Sequence, residues 1–188
     1  MQLAIIGHHG VINDAPENDG TISTGWRPIR GSLEAMARLH HAGWRIIVAS
    51  NRPELADGTL QPDSLVRQHA SLRRYVADSG GAIEAFSYCP HAPDSECNCH
   101  LPGTGLLQDI ATRLHISLDC VPVIGDSPTY IQAALTIGAR PILVKTGKGF
   151  ATVSQPDLDP AVPVFNDLYS AVDSLLKQDL FTADRQTC

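Results

Sequence analysis

A chain of 188 residues, 43% of them apolar, is long enough to bury a sizeable core; one domain over residues 1–180 followed by a flexible tail, 181–188, is the expected organisation. The net charge of -6 and a pI near 5.7 provide no basic stripe to neutralise phosphates along a nucleic acid, which disfavours a nucleic-acid partner and leaves small molecules or proteins. No stretch is apolar for long enough to cross a bilayer, and Met1 to Gly7 lacks the charged lead and long apolar run of a signal peptide, so a cytoplasmic protein with no membrane partner is expected.

Short β-rich runs alternate with helical patterns along the chain. Leu3 to Ile6 and Trp44 to Ala49 are apolar runs of strand length, and between them Ser32 to Ala42 carries Leu33, Met36 and Leu39 on one helical face, with Gly43 as the stop. A second helix is expected from Ser64 to Asp78, on the spacing of Leu65, His69, Leu72 and Val76, ended by Gly80-Gly81. Ala82 to Tyr88 then reads as a strand. Leu106, Ile110 and Leu114 mark a third helix, and Val121 to Ile124 is a buried strand running into Gly125-Asp126-Ser127-Pro128. There Ser127 is a good N-cap and Pro128 a good first helical residue for a helix that stops at Gly138. Pro141 to Val144 and Val162 to Phe165 are further strands, and Leu168 to Leu180 is a closing helix. Asp14 to Arg27, rich in Asn, Asp, Gly and Thr, reads as a loop or lid.

Alternation of this kind without hairpin signals implies a doubly wound α/β fold, a parallel sheet with helices on both faces. Ligands of such sheets bind beyond the carboxyl ends of the strands, which directs attention to Gly7–Asn13, Ser50–Gly58 and Gly125–Tyr130.

Three of the five cysteines fall between positions 89 and 99, whereas Cys120 and Cys188 are isolated, which is not the even framework of a secreted disulfide scaffold. Cys89-Pro90-His91 and Cys97-Asn98-Cys99 place three thiolates and one imidazole within reach of one tetrahedral ion. A closed set of soft ligands suits structural zinc and leaves no open position for water.

Cys89-Pro90-His91 with Cys97-Asn98-Cys99, set between a strand and a helix, resembles the corresponding loop of the D-glycero-D-manno-heptose 1,7-bisphosphate phosphatases of the haloacid dehalogenase superfamily, near relatives of the histidinol phosphatases. Leu3 to Asn13, Ser50-Asn51 and Gly125-Asp126-Ser127 match the other motif regions, so the resemblance spans nearly the whole chain. It implies a Rossmann-like fold and hydrolysis of phosphate monoesters through an aspartyl phosphate, with magnesium held by carboxylates.

Against that pattern several positions are replaced. Gly7 stands at the nucleophile and His9 at the acid/base carboxylate, within Gly7-His8-His9; Tyr130 stands at a second acidic position near Asp126; His100 and Leu101 replace an Arg-Lys phosphate anchor. Asp126 alone of the carboxylates is retained, so magnesium binding is expected to be weak. Ser50, Asn51, Arg52 and Lys145, with Lys148 nearby, are the candidate ligand-binding residues. The expectation is a pseudophosphatase of the lipopolysaccharide-precursor type of pathway with a binding, regulatory or scaffold role. The competing one is a sugar-phosphate hydrolase that uses a histidine base or a transition metal at His8, His9 and Asp126. Alternation along the first strand sends His8 and His9 to opposite faces, one lining the cleft and the other packed beneath it. Asp126 has a second reading, as a hydrogen-bond acceptor for loop amides.

Overall fold

The computed structural model describes residues 2–14 and 27–182, with side chains through Gln178. Most of the expected loop or lid, Asp14 to Arg27, and the end of the expected tail lie outside the described residues.

Six parallel strands form one sheet: β1 (Leu3–Gly7), β2 (Arg45–Asn51), β3 (Ala85–Cys89), β4 (Pro122–Gly125), β5 (Arg140–Val144) and β6 (Val164–Phe165), in the order β3-β2-β1-β4-β5-β6. Every strand is joined to the next by a crossover, which parallel pairing requires. The helices are α1 (Ser32–His41), α2 (Pro62–Asp78), α3 (Gly105–Leu114), α4 (Pro128–Thr136), α5 (Gly149–Val153) and α6 (Leu168–Thr182). The central strand β1 is buried along its whole length because both faces of the sheet are covered.

Alternation divides that strand between two cores. Ala4 and Ile6 face α1, α2 and α6 through Met36, Leu39, Leu72, Val76, Val172 and Leu175, whereas Leu3 and Ile5 face α3 and α4 through Leu107, Ile110 and Ala133. On the first side an Arg38–Asp173 ion pair at 2.8 Å, with the Arg38 guanidinium 4.9 Å from the Tyr169 ring centroid, ties α1 to α6.

The three-layer architecture is the one the alternation implies. The differences are local. α2 starts two residues before Ser64, at Pro62, whose fixed φ and missing N–H suit a first helical position. β3 starts at Ala85, opposite Ile47 of β2. Ser127 occupies the N-cap position of α4 in extended conformation, but its hydroxyl pairs with that of Thr129 at 2.8 Å instead of capping a backbone N–H. The short α5 had no sequence signal, since its five residues are too few to show a helical period.

Candidate functional site

The ends of β2, β1, β4 and β5 lie side by side, bringing Ser50, Gly7, Asp126 and Lys145 to one edge of the sheet. Gly7 shares the parity of Leu3 and Ile5 and so faces the core that contains Tyr130. A Cβ on Gly7 would lie 3.0 Å from Val11 Cγ2, 3.1 Å from Tyr130 Cζ and 3.3 Å from Tyr130 Oη. The phenol thus occupies the volume into which a side chain at position 7 would project. Its hydroxyl donates to the carbonyl of Ala49 on β2 at 2.7 Å, and Gly125 allows the ring to lie flat against the end of β4, because a Cβ there would collide with it.

His8 and His9 do not separate as strand alternation predicts. β1 ends at Gly7, the following turn frees the backbone from the pleat, and both rings meet one guanidinium: Arg52 Nη2 donates to His8 Nδ1 and Arg52 Nη1 to His9 Nε2. The rings contact each other edge to face, with centroids 4.4 Å apart. Arg52 is 2% exposed and His8 4%. Burial, followed by the charge of Arg52, holds His8 well below the usual imidazole range, so it is neutral and able to accept. His69 on α2 stacks on Phe86 with centroids 4.0 Å apart and planes 6° from parallel; burial, then Arg52 and Arg73, bring it down to about 4.

Asp126, 5% exposed, turns toward the loop after β5. Its Oδ2 accepts from Lys148 N–H at 2.9 Å, Thr146 Oγ1 donates to Gly10 O at 2.6 Å, and Thr152 Oγ1 donates to Asp126 O at 2.8 Å. Gly10 and Gly147 both have positive φ, 74° and 56°, and a Cβ on either would strike the carboxylate, so the two glycines let both loops close on it. This is the amide-acceptor reading of Asp126. Gly10 lies within the Gly7–Asn13 loop, and the signal for Thr146 and Gly147 is the run Lys145-Thr146-Gly147-Lys148-Gly149, which has no Walker spacing.

The remaining candidates occupy varied surroundings. Ser50 is 6% exposed at the end of β2. The Asn51 amide faces Leu101, not the cleft: Nδ2 donates to Leu101 O at 3.1 Å and Oδ1 accepts from Leu101 N–H at 2.9 Å. Leu101 itself is buried in the α3–α4 core, and His100 Nδ1 lies 3.2 Å from the carbonyl of His91. Lys145 Nζ is 3.5 Å from Asn166 Oδ1.

Cys89, His91, Cys97 and Cys99 form the one cluster among the described residues able to hold a metal ion, with ligand atoms all within 4.8 Å of one another. Cys89 Sγ lies 3.7 Å from Cys97 Sγ, 3.1 Å from Cys99 Sγ and 3.6 Å from His91 Nδ1. Burial pushes the Cys89 thiol up to about 12, while the Ser95 hydroxyl, 3.2 Å from Cys97 Sγ, favours the Cys97 thiolate and brings it to about 6.

A six-stranded parallel sheet of this order, with its polar residues on the loops after β1, β2, β4 and β5, defines a haloacid dehalogenase-like hydrolase fold; residues 99–171 match the family model described as HAD-hydrolase-like. The chain is 41% identical, over 94% of its length and 100% of the relative's, to a D-glycero-beta-D-manno-heptose-1,7-bisphosphate 7-phosphatase of Pseudomonas putida. A crystal structure of D,D-heptose 1,7-bisphosphate phosphatase from B. bronchiseptica, complexed with magnesium and phosphate, matches with a TM-score of 0.88 and 37% identity, over 95% of this chain and 99% of that one. The enzyme of the same name from Burkholderia thailandensis matches with a TM-score of 0.75 and 32% identity, over 94% and 99%. The chain belongs to the D-glycero-beta-D-manno-heptose-1,7-bisphosphate 7-phosphatase family.

Two outcomes follow from this geometry. Gly7→Asp is expected to cost about 1–3 kcal/mol by overpacking, and less in a Tyr130→Ala background, since the two residues compete for one volume. Urea denaturation of the four proteins of that cycle measures the coupling, and an equal cost in both backgrounds contradicts the shared volume. The second concerns pH. The unfolded chain protonates its histidines below about pH 6.5, whereas folded His69 does so only near 4. Stability is therefore full above about pH 6.5 and is lost as pH falls toward 4. His69→Phe keeps the stacking and should flatten the fall of melting temperature between pH 7 and 4.5 relative to wild type; parallel curves refute the assignment.

Proposed function

We propose that this heptose-bisphosphate-phosphatase-like chain does not transfer phosphate and serves as a cytoplasmic pseudophosphatase with a binding, regulatory or scaffold role. The observation that carries this is the Tyr130 phenol packed where a residue-7 side chain would project. Covalent phosphoryl transfer needs a nucleophile in line with the phosphorus, and glycine offers no attacking atom. The residues also do not fit a magnesium site: Gly7 has no side-chain ligand atom, Tyr130 stands where the resemblance places an acid, and Asp126 gives one oxygen to a backbone N–H. Hydrolysis by a reworked histidine or metal site fits less well, because both imidazoles are acceptors for Arg52 and Asp126 Oδ2 is taken by Lys148 N–H.

Zinc fits the Cys89, His91, Cys97, Cys99 set. Zn–S near 2.3 Å and Zn–N near 2.05 Å place two thiolates of a tetrahedron about 3.8 Å apart and a thiolate and imidazole about 3.6 Å apart. The separations of 3.7 Å and 3.6 Å at Cys89 match these, and 3.1 Å and 3.2 Å at Cys99 need only a small expansion. With four protein ligands the ion would hold the loop, not activate water. No helix among the described residues is long and apolar enough to cross a membrane. Positive charge at the strand ends comes from Arg52, Lys145 and Lys148. Of these Lys148 is exposed and Lys145 partly so, which suits a phosphorylated sugar or an acidic protein segment as partner.

Purified protein given D-glycero-beta-D-manno-heptose 1,7-bisphosphate and magnesium is expected to release no phosphate above a blank. Release that is abolished by Asp126→Ala overturns the proposal. For zinc, metal analysis should find one equivalent, and its removal by a strong chelator should lower the melting temperature by several degrees; an unchanged curve after proven removal sinks the structural role.

A further inference from the structure

The span that carries the four metal-binding residues is closed at its base by the end of β2. On one side Arg52 N–H donates to the carbonyl of Cys89 at 2.7 Å, continuing the ladder that pairs Asn51 with Cys89. On the other, the Asn51 amide makes both hydrogen bonds to Leu101, two residues past Cys99. A carboxamide that presents its carbonyl to one residue's N–H and its amino group to the same residue's C=O reproduces the exchange of a β ladder, and Asn is well suited to it, having a donor and an acceptor on one short arm. Beyond Leu101 the chain is fastened to itself, Gly103 N–H to His100 O at 2.7 Å and Gly105 N–H to Asn98 O at 2.8 Å. Beside the sulfur contacts of Cys97 and Cys99 with Cys89, the two hydrogen bonds of Asn51 join the far side of the loop to the sheet.

We propose that Asn51 is a positioning residue of the metal centre: by clamping Leu101 it closes residues 89–101 into a loop, so that Cys97 and Cys99 face Cys89 before an ion arrives. The inference rests on the zinc reading above. Closing a flexible loop has an entropic cost that rises with its length; where a clamp has already met that cost, the ion does not, and its affinity rises accordingly. The clamp also places Leu101 in the α3–α4 core, which keeps the loop's exit from sliding. It gives Asn51 a task other than contacting a ligand of the cleft.

Three full-length proteins test this, wild type, Asn51→Ala and Ser32→Ala, the last losing a buried hydrogen bond to Ile12 O at 3.0 Å, remote from the loop. Zinc affinity is read by competition with a chromogenic chelator, and Co2+ spectra report the thiolate set. Asn51→Ala should bind zinc about 10–100-fold more weakly, the loss usual for groups supporting metal ligands, with the Co2+ spectrum still tetrahedral and Ser32→Ala unchanged in affinity. Equal affinity in wild type and Asn51→Ala overturns the proposal, and so does an equal loss in Ser32→Ala, which would make the effect one of global stability. Hydrogen exchange on the wild type alone covers the case in which Asn51→Ala does not fold: the Leu101 amide should stay protected when zinc is removed, because the clamp precedes the ion, and loss of that protection on zinc removal alone overturns it. A wild type that binds neither zinc nor Co2+ refutes the zinc reading itself, and the positioning role falls with it.

Discussion

A phenol buried in an apolar core must give its proton to an acceptor, and at Tyr130 that acceptor is the carbonyl of Ala49 two strands away in the sheet. The bond decides where the ring lies: across the carboxyl end of β1, against a glycine there and a second glycine at the end of β4. Much of the cleft's present shape depends on that position. Gly125 is required because the ring leaves no room for a Cβ there, a Cβ at Gly7 would meet the ring at 3.1–3.3 Å, and the carboxyl end of β1 is packed against carbon.

The polar groups that remain are drawn into pairings with the protein itself. Arg52 is held by two imidazoles, of which His8 is neutral because it is buried beside the guanidinium, and both ring nitrogens that face it act as acceptors. Asp126 is enclosed by two loops whose glycines let it approach Lys148 N–H. These pairings satisfy buried polar atoms that would otherwise each cost about 1–3 kcal/mol, and they do so with groups available in the chain.

The sheet, its parallel sense and the helices on each face were legible because apolar runs of strand length alternate with i, i+3, i+4 patterns; Ile5, Ile47 and Val123 sit where such a reading puts them. The grouping of Cys89, His91, Cys97 and Cys99 was legible because their spacing is local in sequence. What was not legible depends on side-chain direction at the ends of strands. Alternation predicts opposite faces for His8 and His9 only while the chain remains extended, and the chain turns right after Gly7. Asn51 looked like a ligand contact because of its place at a strand end, but its amide answers to Leu101, fifty positions later, a pairing that no periodicity signals. Tyr130 was read as a missing acid; that it fills the volume vacated at position 7 required coordinates.

The order of the strands leaves the sheet with two unequal margins. On one side the last strand, Val164–Phe165, is only two residues long, too short to template another chain. On the other, β3 offers five residues and ends at Cys89, the first residue of the Cys/His cluster. Beyond Cys89 the loop's turns keep the backbone from continuing as a flat ribbon. Among the described residues, the longer margin of the sheet therefore ends where the cysteine-rich loop begins, and the loop sets how far that edge can extend.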